Sequence, residues 1–140
     1  MFNTILLGVD GSTHALKAAA LAGEMARVYA VKTLWVVTCF APVPTYLGTP
    51  FLETSIAERM SEAEKILQPA LHEVGEIPGS IRTEILEGSP AEAILSVGDS
   101  RGVELIVMGT RGLGSLSGLL LGSQSQKVIA HAKCPVLLTR

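Results

Sequence analysis

Short apolar runs alternate with segments of helical periodicity from one end of the chain to the other. Residues 4–9, Thr-Ile-Leu-Leu-Gly-Val, form the first run, and the turn signal Asp10-Gly11 closes it. Ser12 is placed to cap a helix that continues through an alanine-rich segment to about Val28. Leu21, Met25 and Val28 recur on that helix at helical spacing, and the alanines permit close approach to a sheet. Residues 33–40 are a second apolar run, rich in β-branched and aromatic side chains. Residues 41–50 hold Pro42, Pro44, Gly48 and Pro50 and read as an irregular connection, with Tyr46, Leu47 and Phe51 suggesting a packed cover.

A long helix follows, in which Ile56, Met60, Ala63, Leu67, Leu71 and Val74 step by three and four. Pro69 lies inside this pattern and is expected to kink or interrupt it. After a break over residues 75–79, Ile81, Thr83 and Ile85 alternate with Arg82 and Glu84, the pattern of a half-exposed edge strand. Pro90 suits the first turn of a helix running to about Arg101. Residues 105–108 are apolar again and lead into the Gly/Ser-rich stretch 109–125. A helix to about Ala132 and a last strand over residues 136–139 complete the chain.

Five strands with helices between them predict an α/β fold, a parallel sheet covered on both faces. Right-handed crossovers make it a doubly wound, three-layer sandwich. At 140 residues the chain is expected to form a single domain, 1–140, without internal repeat or linker. The 48% apolar content suits a well-buried sheet, and the net charge of −2 is spread over mixed acids and bases. No basic stripe with interleaved aromatics points to nucleic acid. Cys39 and Cys134 are read as two reduced, buried thiols, with a disulfide as the alternative, and suit a reducing compartment. The first residues carry no secretory pattern, and no apolar stretch reaches the roughly 20 residues of a membrane span. A soluble, cytoplasmic protein is expected.

Ligands of open α/β sheets bind outside the carboxyl ends of the strands, where strand order reverses. Three segments compete for that place: Val9-Asp10-Gly11-Ser12, Glu87-Gly88-Ser89-Pro90, and the loop that begins at Gly109. The loop reads Gly109-Thr110-Arg111-Gly112, then nine residues, then Gly122-Ser123-Gln124-Ser125. Its glycines let the backbone turn tightly and approach a ligand. Its second half opens a helix, whose free N–H groups and positive dipole end favour an anion. The hydroxyls of Ser123 and Ser125 add donors, and Arg111 adds a positive charge. A plain Gly/Ser-rich connection between strand and helix is the competing reading. There is no Gly-Lys dipeptide for a Walker A loop and no Gly-x-Gly-x-x-Gly after the first strand.

The spacing Gly-x2-Gly-x9-Gly-Ser resembles the ATP-binding signature of the universal stress protein family. The opening Ile5-Leu6-Leu7-Gly8-Val9-Asp10-Gly11-Ser12, the Glu87-Gly88-Ser89-Pro90 turn and Leu105-Ile106-Val107-Met108-Gly109 also match that family's pattern, in order and over the whole chain. Glu104 departs from it, since the family more often has Asp before the fourth strand. The resemblance implies a Rossmann-like, adenine-nucleotide alpha-hydrolase-like sheet of order 3-2-1-4-5. It further implies that Asp10 contacts the ribose and helps hold Mg2+, and that the backbone of Val9 and of Thr38 or Cys39 borders the adenine. Met108, Gly109 and Gly112 would line the ribose and α-phosphate with Arg111 close by, and Gly88 would border the site. Gly122, Ser123, Gln124 and Ser125 would cradle the outer phosphates of ATP, with ADP and AMP as alternatives. Asp10 has the simpler reading of a turn former that caps the first helix, and Ser123 that of a helix cap.

Other conspicuous residues carry less. His14 is read as a solvated helix residue rather than half of a His–Asp pair, and His72 and His131 have no partners at metal spacing. Glu53, Glu58, Glu62, Glu64 and Glu73 read as a solvated helix face. Cys39 has nothing basic nearby to activate it. The last strand, with Val136, Leu137 and Leu138, is apolar on both faces, and as an edge it invites pairing into a homodimer, as the resemblance also implies. The resulting expectation is a nucleotide-sensing regulatory protein with little or no hydrolysis. A slow ATPase or phosphotransferase, and a dimeric interaction module without nucleotide, are the alternatives.

Overall fold

The structure is a computed structural model that describes residues 2–110 and 122–140. The strands are β1 (Thr4–Gly8), β2 (Thr33–Phe40), β3 (Ser80–Glu87), β4 (Leu105–Gly109) and β5 (Val136–Thr139). The helices are α1 (Thr13–Val28), α2 (Thr49–Val74), α3 (Pro90–Ser100) and α4 (Ser123–His131). All five strands join one sheet of order β3-β2-β1-β4-β5, and every neighbouring pair is parallel. The two edges are therefore β3 and β5, as the alternation in one and the chain order of the other predicted.

Successive side chains of a strand point to opposite faces, so a sheet covered on both sides needs apolar residues at every position of its central strands. Ile5, Leu7, Leu34, Val36, Leu105 and Val107 fill one face under α1 and α2. Leu6, Val37, Ile106 and Met108 fill the other together with Ala93, Ile94 and Val97 of α3 and Val128 of α4. No described helix is long and apolar enough to cross a membrane.

The buried stripe of α1 is made of Ala15, Ala18, Ala19, Ala22, Gly23 and Ala26. Leu21 and Met25 are only half-buried, and Val28 is 72% exposed, so the larger side chains do not form the inner face. Small residues win that face because α1 is held close to both the sheet and α2. A methyl group on Gly23 would collide with the backbone carbonyl of Val74, with the carbonyl carbon and Cα only 2.9 Å away. Arg27 completes the seam by donating from Nη1 to the carbonyl of Val74 (2.8 Å), the last of α2, and to that of Glu76 (3.0 Å) in the turn beyond it.

Helix α2 runs through Pro69 for 26 residues, so of the expected kink or interruption there is no interruption. Pro69 stands on the exposed side, as does Lys65, whose carbonyl loses its helical donor to the proline ring and can turn to water. Ala63 and Leu67 before it, and Ala70 and Val74 after it, anchor both halves to the core. The connection after β2 is also not a packed cover. Val43 is buried and donates its N–H to Glu87 Oε1 (3.2 Å), but Tyr46 is 85% and Phe51 69% exposed.

Two glycine-to-alanine substitutions separate close approach from simple helix propensity. Gly23→Ala is expected to destabilise by about 3 kcal/mol, because backbone rather than a flexible side chain must give way. Gly98→Ala, in the last turn of α3 with Ile106 Cδ1 at 3.8 Å, is expected to stabilise by up to about 1 kcal/mol. Urea unfolding of both variants checks the opposite signs.

Candidate functional site

The chain leaves β1 for β2 on one side of the sheet and later crosses to β4 on the other, so the topological switch lies between the carboxyl ends of β1 and β4. Val9 follows β1, is buried, and donates its N–H to the carbonyl of Val37 (3.0 Å). Asp10 comes next and turns the chain, its Oδ1 accepting from the N–H of Ser12 at 2.9 Å. Ser12 in turn caps α1, its Oγ accepting from the N–H of Ala15 at 3.2 Å. The turn-forming role of Asp10 is thus present in the geometry.

Beside this turn lies the end of β2. The register pairs Gly8 with Val37, which sets Thr38 and Cys39 beside Val9 and Asp10. Thr38 is buried and Cys39 half-buried. Burial pushes the Cys39 thiol up, and the negative charge of Asp10 adds to the effect, so the thiol stays protonated and unreactive near neutrality. Cys134 is also a free thiol pushed up by its burial. Gly88 follows β3 and donates its N–H to the carbonyl of Phe40 (2.9 Å). Ser89 then caps α3, its Oγ accepting from the N–H of Glu92.

On the far side of the switch, Met108 is buried and Gly109 ends β4. The glycine is required by the helix packed on it. A Cβ there would stand 2.7 Å from His14 Cβ and 3.0 Å from the His14 carbonyl carbon. Its missing side chain therefore admits α1, where sequence reasoning had it admitting a ligand.

The second half of the Gly/Ser-rich stretch is held from within. Gly122 occupies the N-cap of α4 and provides no side-chain cap, leaving Ser123 exposed at the first helical position. Ser123 is therefore not the cap. The N–H of Gly122 and the Oγ of Ser125 both donate to the carbonyl of Thr110, each at 2.9 Å, and the Ser125 hydroxyl also lies 3.1 Å from the carbonyl of Gly109. Ser125 is only 2% exposed. Gln124 reaches across to α3, its Oε1 accepting from the N–H of Ala91 at 2.9 Å. The expected phosphate donors thus divide. The Ser125 hydroxyl and the side-chain oxygen of Gln124 are engaged within the protein, and among the described residues no N-cap side chain bonds the first-turn N–H groups of α4. Arg111 and Gly112 lie outside the described residues.

Sequence reasoning missed three residues that meet beside this helix. His14 is half-buried rather than solvated, with its Nδ1 3.0 Å from Thr110 Oγ1. Thr110 donates its N–H to the carbonyl of Thr139 (2.8 Å), and Thr139 Oγ1 donates to the carbonyl of His14 (3.0 Å). The separation of 96 positions between His14 and Thr110 leaves no local pattern by which to find the contact. Among the described residues no group of three or more His, Cys, Asp or Glu side chains is placed to hold a metal ion.

This geometry has counterparts. A universal stress protein of Thermus aquaticus is 50% identical over 140 residues, covering all of both chains. Among solved structures, the universal stress protein UspA of Lactobacillus plantarum superposes with a TM-score of 0.85 at 24% identity, over 99% of this chain and 98% of that one. A universal stress protein in complex with cAMP superposes with a TM-score of 0.77 at 25% identity, over 99% of this chain and 97% of that one. The description of the universal stress protein family matches residues 1–140. With the strand order, the turn after β1 and the glycine-capped α4 in place, the chain belongs to the universal stress protein family.

Proposed function

We propose that the protein binds an adenine nucleotide, ATP in its working form, at the carboxyl end of the sheet between β1 and β4. It acts in this reading as a nucleotide-responsive regulatory protein in the stress response. The observation that carries the proposal is the amino end of α4, capped by a glycine and tied through Gly122 to Thr110 at the exit of β4. Such an end offers several N–H groups and a positive dipole to a phosphate. The cAMP complex of a relative that shares the fold supports adenine as the base.

In this reading the backbone of Val9 and of Thr38 or Cys39 borders the adenine, with Gly88 at the margin. Asp10 meets the ribose, and Met108 and Gly109 flank the ribose and α-phosphate with Arg111 and Gly112. Ser123, Gln124 and Ser125 receive the outer phosphates chiefly through main-chain N–H groups, and Gly122, whose own N–H is held by Thr110, lets the phosphates approach. Mg2+ would take phosphate oxygens, water and at most the Asp10 carboxylate, since such ions keep several waters. Hydrolysis is expected to be slight, because the carboxylate nearest the switch already holds the N–H of Ser12 and fast phosphoryl transfer needs a group free to orient the nucleophile. The free thiols Cys39 and Cys134 fit the reducing cytoplasm.

Mass spectrometry of small molecules released by denaturing the freshly purified protein tests this reading. Adenine nucleotide is expected from the natural protein and not from Gly122→Val, whose side chain would stand at the phosphate cradle. A natural protein that releases none, and whose melting temperature added Mg-ATP leaves unchanged, would make a nucleotide-free interaction module the better reading.

The edge strand β5 supports self-association. Leu137 packs toward the core under α1, and Val136 and Leu138 pack toward the core under α3 and α4, yet all remain half-buried, with the outer edge of the strand unpaired in the sheet order. A homodimer formed by β5 of two copies would cover this edge. Light scattering at micromolar concentration is expected to give twice 14.7 kDa, and a monomeric mass would refute the pairing.

A further inference from the structure

Thr110 is the last residue before the stretch that separates β4 from α4, and it is bonded on every polar group it has. Its N–H goes to β5, its carbonyl receives the N–H of Gly122 and the hydroxyl of Ser125, and its Oγ1 meets His14 Nδ1. The residue is only 8% exposed. The carbonyl that fastens the amino end of α4 therefore belongs to a residue whose side chain is fixed from α1. His14, Thr110 and Thr139 form a closed ring of three hydrogen bonds drawn from α1, the residue after β4, and β5. His14 is also the residue whose Cβ and main chain rest on Gly109, so its ring is anchored at the base.

We propose that His14 is a positioning residue for the amino end of α4. Through Thr110 it sets where the N–H groups of the first turn of α4 lie relative to the Asp10 turn, and so sets the affinity of that helix end for a phosphate ligand. The step to affinity rests on the nucleotide reading above; the positioning itself does not. The physical basis is the stiffness of the linkage. A helix end that binds through main-chain donors has no long side chain to adjust, so an error of a fraction of an ångström in its placement is felt directly by the ligand. Removing the imidazole frees the Thr110 hydroxyl inside a closely packed corner, and the carbonyl on the same residue loses its fixed direction. The hydrogen bond to Thr110 can form with either partner as donor, so a side chain of similar reach with both functions can replace the ring.

The test compares the natural protein with His14→Ala, His14→Asn, Thr110→Val, Thr110→Ser and the pair His14→Ala/Thr110→Val. Two readouts are taken: the Kd for AMP and for ATP by calorimetry, and the amide hydrogen-exchange rate of Gly122 in the ligand-free protein, with Leu6 as the core reference. His14→Ala and Thr110→Val are each expected to weaken binding about fivefold to tenfold and to speed exchange at Gly122 but not at Leu6. The double variant is expected to lose no more than either single one, because both remove the same contact. His14→Asn and Thr110→Ser, which keep a hydrogen-bonding group in place, are expected to return both readouts most of the way and to hold the comparison if the alanine variant does not fold.

Unchanged Kd and unchanged Gly122 exchange in His14→Ala would overturn the proposal while leaving nucleotide binding intact. Full additivity of the two single losses would overturn it as well. If the natural protein binds neither nucleotide but Gly122 exchange still accelerates in His14→Ala, the positioning stands and the nucleotide reading fails.

Discussion

The first turn of α1 rests on the carboxyl end of β4 at a separation that no side chain on Gly109 would tolerate. Most of the architecture around the candidate site follows from that contact. To lie so near the sheet, α1 must present alanine and glycine inward along its length. To stay there it must be pressed from outside, and the fit of Gly23 against Val74, with Arg27 on the last carbonyl of α2, does so. The close seat of α1 carries the turn of Asp10 and Ser12 to the exit of β4, where α4 begins. Volume rather than charge sets this arrangement, since core packing tolerates little displacement in either direction.

The polar side chains around the switch point serve mainly as fasteners. Asp10 and Ser12 shape the turn after β1, Ser89 caps α3, Gln124 joins α4 to α3, and Ser125 ties α4 to the end of β4. Main-chain N–H groups at the start of α4 then remain as the donors that the proposed nucleotide would use. A site of this kind holds an anion by oriented dipoles and N–H groups, which bind without requiring a cationic side chain. The division of labour accords with a protein whose output is a bound or unbound state, since a ligand that binds only the folded form shifts stability and association by mass action.

Much of the fold was legible along the chain because a doubly covered sheet leaves a plain trace. The apolar runs at 33–40 and 136–139 coincide with β2 and β5, and the alternation of Ile81, Thr83 and Ile85 with Arg82 and Glu84 marked β3 as an edge. The inner face of α1 was less legible. Leu21, Met25 and Val28 have the helical spacing, but the decisive quantity was side-chain volume against a close neighbour, which periodicity does not record. That Pro69 does not interrupt α2 was not legible, because its cost depends on whether the orphaned carbonyl reaches water. Around the switch point, the use of the side chains was not legible. Hydrogen bonding of Ser125, Gln124 and His14 is decided by strands and helices far away in sequence, and one of these partners, Thr139, lies next to the last residue of the chain.

Amide spectra of 15N-labelled protein titrated with AMP and then ATP measure most directly whether the amino end of α4 receives a phosphate. The expected result is saturable movement of the Gly122, Ser123, Gln124 and Ser125 amides together with that of Asp10. ATP should move the α4 amides further than AMP does. Movement confined to other parts of the sheet, or none at millimolar nucleotide, would contradict a phosphate cradle at this helix end.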